Sequence, residues 1–266
     1  MARKVLAFLR RDFQTQISYR ADFLMRLVGM ILNVSSFYFV SRILDPMVSP
    51  YLQPYSKDYF HFALLGLAFY GFTGSDSLSG AVQSYQQSGT LEVLFLSSTP
   101  ILGSLVMSTL WGYLWALVES LAYLAAGTVI FGAQLEWASL LRVILVVLML
   151  ILANAGFGLV NAGFALVSKR GSPLSRLLRL ATGLLAGMYY PIDVLPTWLQ
   201  FLSRFLPASY CFRALRSTLL QGASVADIAS DLLALAAFAV VLLPAGLMAF
   251  RYAVRRAKMD GSLSQY

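Results

Sequence analysis

From Ala21 to Tyr252 the chain is a succession of long apolar stretches parted by short polar breaks, and the break between the fourth and fifth holds Lys169, Arg170, Arg176 and Arg179. A helix crossing about 30 Å of hydrocarbon needs about 20 mostly apolar residues, and such a pattern folds only where lipid is the solvent. Charged residues make up 12% of the chain, against roughly 25% in soluble domains, and mean hydropathy is +0.72. The expected fold is therefore an all-α membrane protein. It has six transmembrane helices, an amphipathic N-terminal interface helix and a broken re-entrant segment before the last span. In 266 residues such a layout leaves no room for a soluble catalytic domain, so residues 1–266 read as one transmembrane domain.

The formal charge of +8 and a pI near 9.7 would suit nucleic acid. The basic residues sit instead beside apolar runs, where anionic headgroups meet them, which points to membrane lipid and away from nucleic acid. Cys211 and His61 are the sole residues of their types. Neither a disulfide nor a metal site of the usual His and Cys ligands can be built within one chain. Residues 3–19 put Val5, Leu6, Leu9, Phe13 and Ile17 on one helical face and Arg3, Lys4, Arg10, Arg11 and Gln14 on the other. That suits a helix over 1–20 lying in the headgroup layer, or a basic flank that sets topology. The segment lacks the compact apolar core and small-residue cleavage site of a removable signal, so it reads as retained.

The first span is expected from Asp22 to Leu44, ended by Asp45-Pro46, Pro50 and Pro54. A second runs from Tyr59 to Val82, and its polar stretch from Gly71 to Gly80, with Thr73, Ser75, Asp76, Ser77 and Ser79, should face protein or water. Ile101–Phe131 and Leu140–Val167 are strong spans, with Trp137 between them as an interfacial anchor. Leu177–Tyr190 is about two-thirds of a span before Pro191, and Asp231–Tyr252 is the last, with Pro244 as a kink. Counting five basic residues in the first 20, four at 169–179 and four at 251–258 places both termini in the cytoplasm. Residues 83–100, also cytoplasmic on this scheme, hold Glu92 but no Lys or Arg.

That loop contains Ser88-Gly89-Thr90-Leu91-Glu92-Val93-Leu94-Phe95, ending at Pro100. Ser88 or Gly89 can cap a short helix whose first turn holds Glu92, where the helix dipole favours a carboxylate. Leu91, Leu94 and Phe95 share a face, either to dock a soluble partner or to rest on the membrane. Further on, Pro191, Pro196 and Pro207 bracket two short helical pieces, with Trp198 and Tyr189, Tyr190 and Tyr210 as anchors. This reads as a pair of short helices dipping into the outer leaflet over 188–217.

In these two stretches the chain resembles the membrane subunits of type-2 ABC exporters, which serve drug, antibiotic, polysaccharide and lipid-linked export. Gly89, Thr90, Leu91 and Glu92 with Pro100 resemble the coupling-helix loop, and Leu94 and Phe95 continue it. Tyr190-Pro191 through Leu195-Pro196 to Trp198-Leu199 and Leu206-Pro207 resemble the signature before the last span. The resemblance implies a permease in a bacterial or archaeal cytoplasmic membrane, paired with a second copy or a related permease and with two ATPase subunits. Residues 88–99 would contact the ATPase, and the broken segment would cap the pathway from outside. The cargo would be hydrophobic, amphipathic or lipid-linked. The chain has no Gly-x-x-x-x-Gly-Lys-Ser/Thr loop. ATP and Mg are thus expected on the partner, and no catalysis on this chain.

Asp76, Glu119, Asn154 and Asn161 fall within apolar spans, as pathway or proton-carrying groups or as interhelical hydrogen bonds. Arg26 and Arg42 are expected to snorkel, and Gly156, Gly158, Gly183 and Gly187 to allow close helix packing. Trp111, Trp115 and Tyr123 either line a path or fill between helices. A proton-coupled carrier using Asp76 and Glu119 is the rival reading, though no match between the two halves supports it. A lipid-modifying intramembrane enzyme would need a convergent catalytic set that one His and one Cys do not supply. Both rivals predict activity without an ATPase.

Overall fold

The computed structural model describes residues 20–52, 58–74, 77–90, 101–168 and 173–259. Its elements are helical throughout, with no strand among the described residues. They are α1 (Arg20–Leu52), α2 (Tyr59–Phe69), α3 (Ser77–Gln87), α4 (Ile101–Ala125), α5 (Leu140–Ser168), α6 (Pro173–Leu185), α7 (Thr197–Ser203), α8 (Pro207–Gln221) and α9 (Ala229–Met259). Among the described residues, four helical runs are long and apolar enough to cross a bilayer: Leu24–Ile43, Ile101–Ile130, Trp137–Val167 and Ala229–Ala257. Their outward faces carry unburied Leu, Ile, Val, Phe and Met, such as Met25, Leu141, Leu233 and Val240, as lipid solvent requires.

The central helix is α5. At 29 residues it spans about 43 Å, and it contributes to both large cores. In the first, Val143, Val146, Leu150 and Ala153 meet Leu65, Phe69 and Phe72 from α2 and its following turn, and Cys211, Phe212, Leu215 and Leu219 of α8. In the second, Leu159, Ala162, Ala165 and Leu166 meet Leu78 and Val82 of α3, Leu105 of α4 and Phe250 of α9. Helix α2 is buried almost all round, which explains why its sequence is apolar on every face.

The second expected span is two helical pieces. After Phe69 the chain tightens into a 3-10 turn, Tyr70–Thr73, and resumes as α3. The polar residues described there face protein, as expected. Asn154 of α5 donates to the Thr73 carbonyl at 3.3 Å, the Ser79 and Ser175 hydroxyls lie 3.2 Å apart, and the buried Gln86 amide donates to the Ala165 carbonyl at 3.1 Å. For Asn154 this is the interhelical hydrogen bond; Asn161 is fully buried. Asp76 lies outside the described residues, as do the amphipathic segment over 3–19 and Lys169 and Arg170.

Two expectations are corrected. The first helix does not stop at Asp45-Pro46 but continues through Pro46 and Pro50 to Leu52. Each proline forfeits one backbone hydrogen bond, and the fully buried Leu52, packed with Tyr59, Phe62 and Ala63, carries the chain onward. Gly183 is not a packing glycine, because a Cβ there would have nothing within 4 Å. Close packing occurs elsewhere. A Cβ on Gly156 would fall 2.3 Å from the Leu242 carbonyl oxygen, and one on Gly246 would fall 2.5 Å from the Gly156 oxygen. The α5 and α9 backbones therefore touch, and a side chain at either glycine would part them.

Candidate functional site

Three places carry the sequence's candidate residues. The first is the end of α3. Gly89 takes φ +65°, its N–H donates to the Gln86 carbonyl at 3.2 Å, and the Thr90 N–H donates to the Tyr85 carbonyl at 3.0 Å. This pair of bonds is a Schellman cap, so Gly89 terminates α3. Leu91, Glu92, Leu94 and Phe95, with Pro100, lie outside the described residues.

The second is the stretch from Ala186 to Gln221. Helix α6 ends at Leu185, and the chain turns through Gly187 at φ +75°. Pro191 is buried and precedes a 3-10 turn, Ile192–Val194. Pro196 stands at the N-cap of α7, the short helix expected between Pro196 and Pro207, whereas the interval from Pro191 to Pro196 holds only the 3-10 turn; Pro207 lies in the first turn of α8, a 15-residue helix beyond the bracketed pieces. The Leu199 N–H donates to the Pro196 carbonyl at 2.9 Å, and the Gln200 amide donates to the Leu195 carbonyl at 2.8 Å. On α7, Trp198 is 65% exposed, and the exposed Phe201 meets Phe205, just past the helix, with ring centroids 5.3 Å apart. Their rings suit an interfacial setting.

What holds this stretch to the body is Arg216, which no motif in the sequence singles out. It is 3% exposed. Its guanidinium donates to the Phe62 carbonyl of α2 at 3.2 Å and to the Met188 carbonyl at 3.1 Å, and it lies 3.4 Å from the centroid of the Phe62 ring. One fork thus ties α8, α2 and the irregular turn together. Gly66 makes the room, because a Cβ there would fall 2.0 Å from the Met188 oxygen and 3.3 Å from Arg216 Nη2. Alongside, the Tyr59 hydroxyl donates to the Tyr189 carbonyl at 2.8 Å, and the Phe37 and Tyr189 rings stack at 5.6 Å. Arg213 bonds to Asp231 in the first turn of α9, with Nε 2.9 Å from Oδ1, where a carboxylate also suits the helix dipole.

The third is a cavity of about 240 Å³ between α1 and α4. Glu119 accepts the Trp115 indole N–H at 2.8 Å, and Arg26 Nη1 stands 4.0 Å from its carboxyl, with the guanidinium 5.7 Å from the Trp115 ring. Arg26 therefore pairs within the protein as well as lying near a span end, whereas Arg42 rests over Tyr38 at 5.9 Å. Asn33 and Tyr123 complete the polar lining. Trp115 thus orients a carboxyl group, and Tyr123 both lines the cavity and packs against Val34, Phe60 and Leu64.

Long apolar helices, lipid-facing exteriors and polar groups turned toward one another define an integral membrane protein of the helical, multi-span class. Residues 3–220 match the family described as ABC-2 type transporter, and the chain belongs to that family of transport permeases. It is also similar to the linearmycin resistance permease protein LnrN of Bacillus subtilis (strain 168), with 32% identity over 117 residues. That match covers 44% of this chain and 30% of the relative's length.

Proposed function

We propose that the chain is the membrane-spanning half of an ATP-driven exporter whose ATPase is a separate polypeptide. The observation that carries this reading is the family match over residues 3–220, which takes in both the loop at 83–100 and the stretch at 188–217. In this reading two permease copies assemble with two ATPase subunits, which hold the ATP and Mg. Closure of the ATPases moves the permeases as rigid bodies. Residues 88–99 are the coupling element, with Leu91, Leu94 and Phe95 as its apolar knobs and Glu92 at its start.

The chain crosses the membrane six times with both termini in the cytoplasm. α2 with α3 forms one crossing, and α6 with the turn after it forms another. Helices α7 and α8 re-enter the outer leaflet, anchored by Trp198 and tied inward by Arg216. A re-entrant backbone needs internal partners, and the Arg216 and Tyr59 bonds to the Met188 and Tyr189 carbonyls are of that kind. The cargo is a hydrophobic, amphipathic or lipid-linked molecule, and a resistance permease is among the proteins to which the chain is similar.

The test is to coexpress the tagged chain with candidate ATPase subunits and purify it in mild detergent. Stoichiometric recovery of an ATPase from the unmodified chain, lost with Leu91→Asp and Glu92→Arg, is the expected result. Equal recovery with both variants would remove residues 88–99 from the coupling role.

A further inference from the structure

The cavity between α1 and α4 has a composition that packing alone does not call for. Its walls bring a cation, a carboxyl, an amide, an indole and a phenol together between two membrane-spanning helices: Arg26, Glu119, Asn33, Trp115 and Tyr123. We propose that it binds the headgroup of a zwitterionic amphiphile, one that bears a phosphate or carboxylate beside a primary amine.

Size is the first argument. Sites that enclose a whole drug-sized ligand run to roughly 300–1,000 Å³, so about 240 Å³ suits a headgroup with its chain left outside. A place for that chain exists, because Leu32, Val118 and Leu121 are exposed apolar residues on the same two helices. Depth is the second argument. Arg26 is the third residue of the apolar run that begins at Leu24, so the cation stands at the end of its span, within reach of the headgroup layer, while Glu119 lies deeper, within the run Ile101–Ile130.

Charge is the third argument. The guanidinium fork matches the oxygens of a phosphate or carboxylate, while a carboxyl and two aromatic rings receive an ammonium. Arg26 is 47% and Glu119 39% exposed, so both are within reach of a guest. The indole N–H fixes the Glu119 rotamer, leaving the cation and the carboxyl side by side rather than scattered. A simple anion would meet Glu119 and a simple cation would meet Arg26, so a guest carrying both charges is the one favoured. Binding requires no nucleotide, and the proposal stands or falls separately from the exporter reading.

The purified chain is placed in nanodiscs of phosphatidylcholine doped with equal amounts of phosphatidylethanolamine and phosphatidylglycerol, and retained lipids are counted by native mass spectrometry. Phosphatidylethanolamine should be enriched about fivefold over phosphatidylglycerol, the scale of one or two net hydrogen bonds. The enrichment should disappear in Glu119→Gln and in Arg26→Gln. Trp115→Phe, which keeps the ring and drops the N–H, should lose part of it and serves where a charge variant fails to fold. Lysophosphatidylethanolamine added from water separates two sources of the same chemistry. Displacement of the bound lipid marks an exchanging guest such as cargo, and retention marks a resident lipid; either outcome supports the site. Equal retention of phosphatidylethanolamine and phosphatidylglycerol by the unmodified chain, or enrichment unchanged in every folded variant, would overturn it.

Discussion

Helices α5 and α9 meet through glycine, whereas α1 and α4 meet around a charged cavity, and the contrast separates two ways of joining helices in lipid. Along α5 and α9 the backbones touch at Gly156 and Gly246, and Gly163 comes against Ala253, where its Cβ would lie 3.1 Å away. Without a hydrophobic force between helices, such close approach supplies the attraction. Half of the most apolar window of α5 is buried, against 17% of those of α9 and α1 alike, so α9 owes its place to this seam with the central helix. Helix α1 is held instead by aromatic contacts toward its far end, such as Tyr38 on Phe131 at 4.7 Å, and by the Arg26 and Glu119 pair. One seam is a dry joint, and the other keeps space for a guest.

The largest effect should come from forcing the dry joint apart. Gly156→Leu would drive a side chain into the Leu242 carbonyl, with a cost of about 3 kcal/mol, seen as a lowered melting temperature in detergent. A melting temperature equal to that of the unmodified chain would mean that the two backbones are not in contact. Next in size is Arg216→Leu. It strips the Met188 carbonyl of its buried donor at about 2 kcal/mol and should open residues 186–196 to limited proteolysis. Cleavage no faster than in the unmodified protein would remove Arg216 as the clamp. The smallest is Gly183→Ala, which meets nothing within 4 Å and should stabilise α6 by about 0.5 kcal/mol. A large loss there would restore Gly183 as a packing residue.

The long spans were legible because lipid demands an unbroken apolar run, and Pro191, Pro196 and Pro207 marked the short helices because proline fits the first turn and little else. In the polar stretch of the second span, Thr73 and Ser79 are buried against protein, one of the two surroundings expected for them. Other features were not legible, for definable reasons. Pro46 and Pro50 look like helix ends locally, but Leu52 finds its pocket through contacts with Tyr59 and Phe62 that no local rule contains. The Gly183 and Gly187 spacing mimics a packing motif, yet a glycine packs only if a neighbour arrives, and here the neighbour arrives at Gly156. Arg216 stood in sequence as one cation beside another, and its partners are backbone carbonyls 154 and 28 residues away, which leave no trace in side-chain chemistry. The pairing of Arg26 with Glu119 joins two helices through residues 93 positions apart in the chain, and nothing local to either residue marks the other, so each reads alone, as a snorkelling cation and a pathway acid. For Leu91, Glu92, Leu94, Phe95 and Asp76 the sequence is the source of the assignment.

The central claim, that this chain works as half of an ATP-driven machine, is tested most directly by native mass spectrometry of the complex purified through a tag on it. The predicted mass is that of two 29.3 kDa permease chains with two ATPase subunits, shifted by bound nucleotide when ATP and Mg are supplied. A chain that purifies without any ATPase, and that moves an amphiphile across liposomes unaided, would contradict it.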